Sequence, residues 1–321
     1  MREITYAQAA QEAIIEEFRR DEKTVHMSAE LPGGLRREFG EDRIRVTPVS
    51  ESAFAGAAIG LAGSGFRPVA EINLATFGFV AMDQLVNQAA KITYMFGGQA
   101  KFPILYRMRN GLGASAAAQH STNSYSMFMN VPGLKIILPS TPYDVKGLLK
   151  TAIRDDNPVI SFEHMALGGM KGEVPEEEYT IPFGVADIKR KGNDVTVVAL
   201  SKMVPEVLGI AEELESEGIS LEVIDPRTLV PMDRDTIRNS VARTGRLIAV
   251  DEACQTCGAA AEILSLVTED NATFSRLKAP LKRVCGLDIP VPFSPPMEKF
   301  AVPDREKIIA AVKEVMAYPS R

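Results

Sequence analysis

Cysteine is scarce in this chain. Its 321 residues hold only Cys254, Cys257 and Cys285, too few for a disulfide framework and suited to a reducing compartment. Long apolar runs are missing too: none reaches the ~18 residues that a membrane span needs. In the opening TYAQAAQEAIIEEFRRDE, Glu16, Glu17 and Asp21 interrupt any signal-like core. Positive charge is not in excess, since 36 Lys and Arg against 42 Asp and Glu leave a formal net charge of −6. No basic block offsets that balance, which argues against a nucleic-acid partner. Neither an internal repeat nor a low-complexity tract is visible. The expectation is a soluble cytoplasmic protein with no membrane and no nucleic-acid partner.

What is present is enough apolar material, 45% of the sequence, for two cores at roughly one domain per 150 residues. Thr5 to Gln8 reads T-x-x-Q, a capping-box start, and Ala7, Ala10, Ile14 and Phe18 then share one helical face. Short apolar runs follow at 43–49, 67–74, 102–108, 134–140 and 158–164, each bounded by turn or helical signals. Between them, Met82, Leu85, Ala89 and Ile92 mark another helix, and Thr141, Pro142 and Asp144 form an N-terminal signature for a third. Strands alternating with helices imply parallel α/β sheets. The stretch KGEVPEEEYTIPFG at 171–184 breaks the alternation and reads as a connector. Beyond it the pattern resumes with VTVVALS at 195–201, SLEVIDP at 220–226 and RLIAVDE at 246–252. The expected architecture is therefore two α/β domains, 1–185 and 186–321.

The most informative stretch is TPVSESAFAGAAIGLAGSGFRP, from Thr47 to Pro68. A carboxylate, Glu51, stands at a predicted strand end, and the helix after it is built almost wholly of Ala and Gly. Such small side chains allow a second helix to approach across Gly56 and Gly60, at a propensity cost of ~1 kcal/mol per glycine. An internal helix packed on its own sheet would read the same way. A dinucleotide fingerprint does not fit, because Gly63 and Gly65 close a helix rather than open one and no third glycine follows at the right spacing.

Glu51 to Leu61 matches E-x-x-x-x-G-Φ-x-x-G-Φ, with Gly56, Ala57, Gly60 and Leu61 in register. The segments MDQLVNQAAKITYMFGGQ, AAAQHS, PGLKIILPSTPYDVKGLLKTAIRDDNPVI, TGRLIAVDEA and VPFS follow in order. Together they resemble β subunits of thiamin-diphosphate-dependent 2-oxo acid and acetoin dehydrogenases, members of the transketolase-like family. The resemblance implies a pyrimidine-binding domain followed by a transketolase C-terminal-like domain. It implies that Glu51 shares a proton with the cofactor's aminopyrimidine ring nitrogen, shifting the exocyclic amine toward the form that deprotonates the thiazolium carbon. Phe77 then matches the residue stacked on the pyrimidine and Val49 a smaller apolar contact, although taken alone Phe77 reads as core. His120, in AQHS after the small-residue loop RNGLGAS, matches the histidine near the substrate carbonyl and the incoming lipoyl group. His26 and His164 gain no such support.

The same resemblance places a structural potassium ion in a loop whose equivalents here are Ile104, Ala152, Asp155 and Asn157, held largely by backbone carbonyls. Side-chain spacing cannot show such a site, and a helix end leading into a strand reads equally well. The family's Mg²⁺ and diphosphate site carries G-D-G followed later by an asparagine. The nearest string here is KGND at 191–194, which precedes a strand and lacks the partner. The resemblance accordingly implies an α subunit holding Mg²⁺ and the diphosphate, a second copy of this chain, and docking on a lipoyl acyltransferase core. One departure stands out: the glycine-rich loop that family members carry after the first helix is largely missing, since MSAE at 27–30 runs almost directly into LPGGLRREFG. Cys254 and Cys257 form a lone C-x-x-C, weak for zinc, which usually needs four ligands, and read as chance neighbours in a loop.

YMFGGQA, PSTPYDVKGLL, ISFEH and GEVPEEEYTIPFG lean toward acetoin dehydrogenase β subunits. Two other readings stand beside the dehydrogenase: half of a two-chain transketolase-like or synthase enzyme passing its unit to an aldehyde, and a non-catalytic scaffold. Retention of Glu51, Phe77 and His120 together counts against the scaffold.

Overall fold

A computed structural model describes residues 1–30 and 34–319. The chain divides into two compact units, one of residues 1–111 and 119–183, the other of residues 112–118 and 184–321. No helix among the described residues is long and apolar enough to cross a membrane.

The first unit opens with β1 (Arg2–Thr5) and α1 (Tyr6–Arg20), where Thr5 and Gln8 form the expected reciprocal capping box. The buried stripe of α1 starts at Tyr6 and runs through Ala10, Ile14 and Phe18, whereas Ala7 faces outward. Then come β2 (Thr24–Ser28), α2 (Leu35–Arg43), β3 (Ile44–Val46), α3 (Glu51–Gly63) and β4 (Arg67–Leu74). A 3₁₀ turn, Ala75–Phe79, leads to a π-helical stretch, Asp83–Ala89, which continues as α4 (Ala90–Met95). The remaining elements are β5 (Leu105–Asn110), α5 (Ala118–Ser121), α6 (Tyr125–Met129), β6 (Lys135–Ile137), α7 (Pro142–Arg154), β7 (Val159–His164) and β8 (Lys171–Val174).

Six strands of this unit form a parallel array in the order β6-β7-β5-β4-β2-β3. All five apolar runs read from the sequence contribute strands. Strand β2 was not foreseen: T-V-H-M-S carries polar side chains, yet all five residues are buried. The shortened loop includes residues 31–33, which lie outside the described residues.

Packing of α1 on α7 explains why charged residues occur at buried helix positions. Lys146, 1% exposed, reaches Glu16 at 2.6 Å and Glu12 at 3.2 Å, and Lys150 reaches Glu16 at 2.7 Å. Such buried ammonium groups are tolerable only when paired.

The connector expected at 171–184 is in part a structural member of the first unit. Strand β8 pairs antiparallel with β1, the Tyr179 ring stacks on Tyr143 at 4.6 Å, and Ile181 is buried in the core. The acidic and proline residues masked those alternate apolar side chains.

The second unit holds a five-stranded sheet in the order Lys282–Gly286, Leu247–Cys254, Val195–Ala199, Leu221–Asp225, Asp187–Arg190. All neighbours are parallel except the last, an antiparallel edge strand. Helix Met203–Ser216 buries Val207, Ile210, Ala211 and Leu214 against it, the stripe read from the sequence. KGND belongs to the turn entering this sheet: a Cβ on Gly192 would meet the Leu221 backbone at 2.1 Å, and Asp194 accepts the Ser220 N–H at 2.7 Å. That string is a packing and turn feature.

Candidate active site

Glu51 occupies the first position of α3, directly after the segment that follows β3, so its carboxylate stands at a helix N-terminus where negative charge is favoured. Only 9% of the residue is exposed, and its carboxylate has no hydrogen-bond or ion-pair partner among the described residues. Buried carboxylates without partners are costly and rare in a purely structural role. The helix behind it is anchored by Tyr106, whose buried hydroxyl donates to the Ala55 carbonyl at 3.1 Å, and by Ser52, which donates to the Val80 carbonyl at 2.6 Å.

The two motif glycines do different things. A Cβ on Gly56 would meet Gln84 of the π-helical stretch at 3.3 Å, so close approach is realised there. Gly60 faces open space, with nothing within 4 Å of such a Cβ. The expected approach across both glycines is thus present at one only, and Ala53, Ala57 and Gly60 lie exposed along the outer side of α3.

Phe77 lies in the 3₁₀ turn after β4, and its ring meets that of His120 edge-on, with centroids 5.5 Å apart and planes at 79°. Thr76 Oγ1 donates to the Gln119 carbonyl at 2.5 Å, tying the two segments beside that contact. The structure therefore brings Phe77 and His120 together. Val49, 80% exposed, and Glu51 follow β3, which β2 separates from β4. All four residues lie beyond the strands in chain order, and in open parallel sheets the carboxyl ends of the strands are where ligands collect.

Beneath this region the sheet carries a charge network that the sequence reading missed. Arg107 on β5 makes a bidentate pair with Glu163 on β7 at 2.8 and 2.6 Å, and approaches Glu71 on β4 at 3.4 Å. His26 on β2 completes it, with Nε2 3.1 Å from Glu71. Burial pushes the Glu71 carboxyl up, but Arg107 and His26 outweigh that and hold it at about 2. Burial likewise disfavours the Arg107 charge, and Glu163 and Glu71 more than compensate, so the guanidinium keeps its proton more firmly than usual. A cavity of about 500 Å³ adjoins the network, lined among others by Tyr6, Gln11, His26, Arg109 and His164. A signal was legible: RPVAEINL, FPILYRM and PVISFEH each place a charge inside an otherwise apolar strand, which demands a buried partner.

Several of the groups expected around a potassium ion already have protein partners. The Ile104 carbonyl accepts the Val159 N–H at 2.8 Å, and Ala152 is buried within α7. Arg67 Nη1 donates to the carbonyls of Ile153 and Asp155 at 3.1 and 3.0 Å. The Asp155 carboxylate pairs with Lys135 and accepts the backbone and side-chain N–H of Asn157 at 2.8 and 3.0 Å. A further cation among these oxygens would stand beside a guanidinium and an ammonium.

Cys254 and Cys257 are exposed. Burial of its sulfur and nearby Asp288 push the Cys254 thiol up, and burial pushes Cys285 up to about 12, so these two thiols disfavour the reactive thiolate. Among the described residues no group of three or more His, Cys, Asp and Glu side chains is placed to hold a metal ion.

Against this geometry, the family model for the transketolase pyrimidine-binding domain matches residues 2–169, and that for the transketolase C-terminal domain matches residues 184–308. The acetoin:2,6-dichlorophenolindophenol oxidoreductase subunit beta of Bacillus subtilis (strain 168) is 47% identical over 287 residues, covering 89% of this chain and 83% of that protein. The pyruvate dehydrogenase E1 component subunit beta of Rickettsia felis is 44% identical over 325 residues, covering 98% and 99%. A solved structure described as split gene transketolase, inactive beta4 tetramer, superposes with a TM-score of 0.83 at 21% identity, covering 99% of both chains, a likeness of fold.

Proposed function

Because the chain belongs to the transketolase-like family of dehydrogenase E1 β subunits, we propose that it is the β half of the first component of an acetoin or 2-oxo acid dehydrogenase. The observation that carries this reading is the Glu51 carboxylate at the start of α3, on a residue only 9% exposed and without a hydrogen-bond or ion-pair partner among the described residues. Such a group fits a cofactor ring nitrogen that holds a shared proton, and thiamin diphosphate is the cofactor with that requirement. When bound, it supplies an electron sink for cleaving the bond next to the substrate carbonyl.

The chain's own residues then divide the work. Glu51 holds a proton at the pyrimidine nitrogen, Phe77 presents an aromatic face, and Val49 supplies apolar contact. His120, whose ring packs nearly perpendicular to that of Phe77, donates a hydrogen bond near the reacting carbonyl and the acyl acceptor. An α-type partner supplies the diphosphate and Mg²⁺ ligands. A second copy of this chain completes an assembly of two α and two β chains, which works in the cytoplasm and delivers its acyl unit to a lipoyl acyltransferase core. Acetoin is the favoured substrate.

The test is acyl transfer by the complex formed with an α-type partner, using acetoin, pyruvate and 3-methyl-2-oxobutanoate in turn. A lipoyl domain should gain the corresponding acyl mass, most readily from acetoin. Addition of the unit to an aldehyde with no acyl-lipoyl product would move the enzyme to the synthase class.

A further inference from the structure

The chain leaves the first unit at Gly111 and re-enters it at Gln119, and the residues between, 112–118, belong to the second unit. Their backbone is unusual: Gly113, Ser115 and Ala117 all have positive φ, at 109°, 51° and 63°. For Ser and Ala that conformation is disfavoured and persists only where surrounding contacts over-determine it.

Two buried carboxylates of the second unit supply those contacts. Glu298, 5% exposed in the helix Pro295–Ala301, accepts the Gly113 N–H at 3.1 Å, the Ser115 N–H at 3.2 Å and the Ser115 hydroxyl at 3.3 Å. Glu252, 6% exposed, accepts the Leu112 N–H at 3.1 Å. Alternation of left-handed residues turns successive N–H groups inward, the concave arrangement that binds anions. Here the anion is built in.

We propose that Glu298, supported by Glu252, is a positioning residue for the reaction: its carboxylate fills the backbone nest of 113–115 and holds the segment running into Gln119 and His120 in its strained, productive form. The inference rests on the proposed function and extends it to two residues remote in sequence from the Glu51 motif. Glu298→Gln keeps the size of the side chain and one acceptor oxygen but sets an amide N–H₂ against the N–H groups of the nest, so the clamp opens without leaving a hole.

In the complex with the α-type partner, Glu298→Gln should raise hydrogen exchange across 112–118 by roughly tenfold or more. Turnover to a lipoyl domain should fall by about 10- to 100-fold, the scale of a small misplacement of reacting groups, with substrate KM and cofactor affinity within about twofold of the parent. Combined with His120→Ala, the variant should cause no further fall, because both changes remove the same step. If Glu298→Gln does not assemble, Ser115→Ala, which deletes the hydroxyl bond alone, should show the same pattern at smaller amplitude. Unchanged exchange or unchanged turnover in the assembled variant overturns the proposal, as does a multiplicative loss in the double variant. A complex in which His120→Ala loses turnover but Glu298→Gln does not removes the clamp and leaves the proposed function standing. A His120→Ala complex with full turnover, beside a Glu298→Gln complex that exchanges faster and turns over slowly, removes the role of His120 and leaves the clamp.

Discussion

In the complex with its partner chain, Glu51→Gln lowers turnover by about 10²- to 10⁴-fold, the range for loss of a proton-transfer group, while assembly survives. The two parts of this expectation have separate causes. Turnover falls because an amide has the shape of the carboxyl but cannot hold the shared proton. Assembly survives because the Glu51 carboxylate has no partner among the described residues, so folding loses only its interaction with the helix N-terminus, about 0.3–1 kcal/mol. Size-exclusion chromatography and steady-state rates measure the two parts independently. Near-normal turnover in an intact complex would remove Glu51 from the chemistry.

His120→Ala should reduce lipoyl-dependent turnover by roughly 10²-fold while reduction of an artificial electron acceptor such as 2,6-dichlorophenolindophenol changes little. The imidazole packs nearly perpendicular to the Phe77 ring, which sets it next to the residue proposed to stack on the cofactor, and it lies outside the Glu51 segment that answers for the pyrimidine. Its loss should therefore weaken delivery to the dithiolane more than cofactor binding. Parallel assays with the two acceptors decide the matter: equal losses would take the histidine out of acyl transfer.

Much of this was legible because local patterns record local causes. The apolar runs around Val69, Leu105, Ile136 and Val159 announced a parallel sheet, since strands covered on both faces need continuous apolar sequence. Thr5 with Gln8, and Thr141 with Pro142 and Asp144, marked helix starts through hydrogen bonds made within one turn. What escaped depends on partners distant in sequence. The strand Thr24–Ser28 is buried despite its polar residues because His26 finds Glu71, 45 residues away. Glu298 reaches Gly113 across 185 residues, and no period or spacing marks such a pair. Nothing in the sequence marks Lys146 and Lys150 as buried, since Lys is usually exposed, and the Glu12 and Glu16 of α1 that neutralise them lie some 130 residues away. The potassium loop came from resemblance alone, and Arg67 already donates to the carbonyl of one of its residues, Asp155.

In the proposed function this chain carries the pyrimidine half of a thiamin-diphosphate site and leaves the diphosphate half to another chain. Titrating thiamin diphosphate with Mg²⁺ into the purified chain alone, and into its complex with the α-type partner, tests that division by calorimetry. Binding should be weaker than about 1 mM for the chain alone and about micromolar for the complex, a difference of roughly 4 kcal/mol. Micromolar, Mg²⁺-dependent binding by the isolated chain would contradict it.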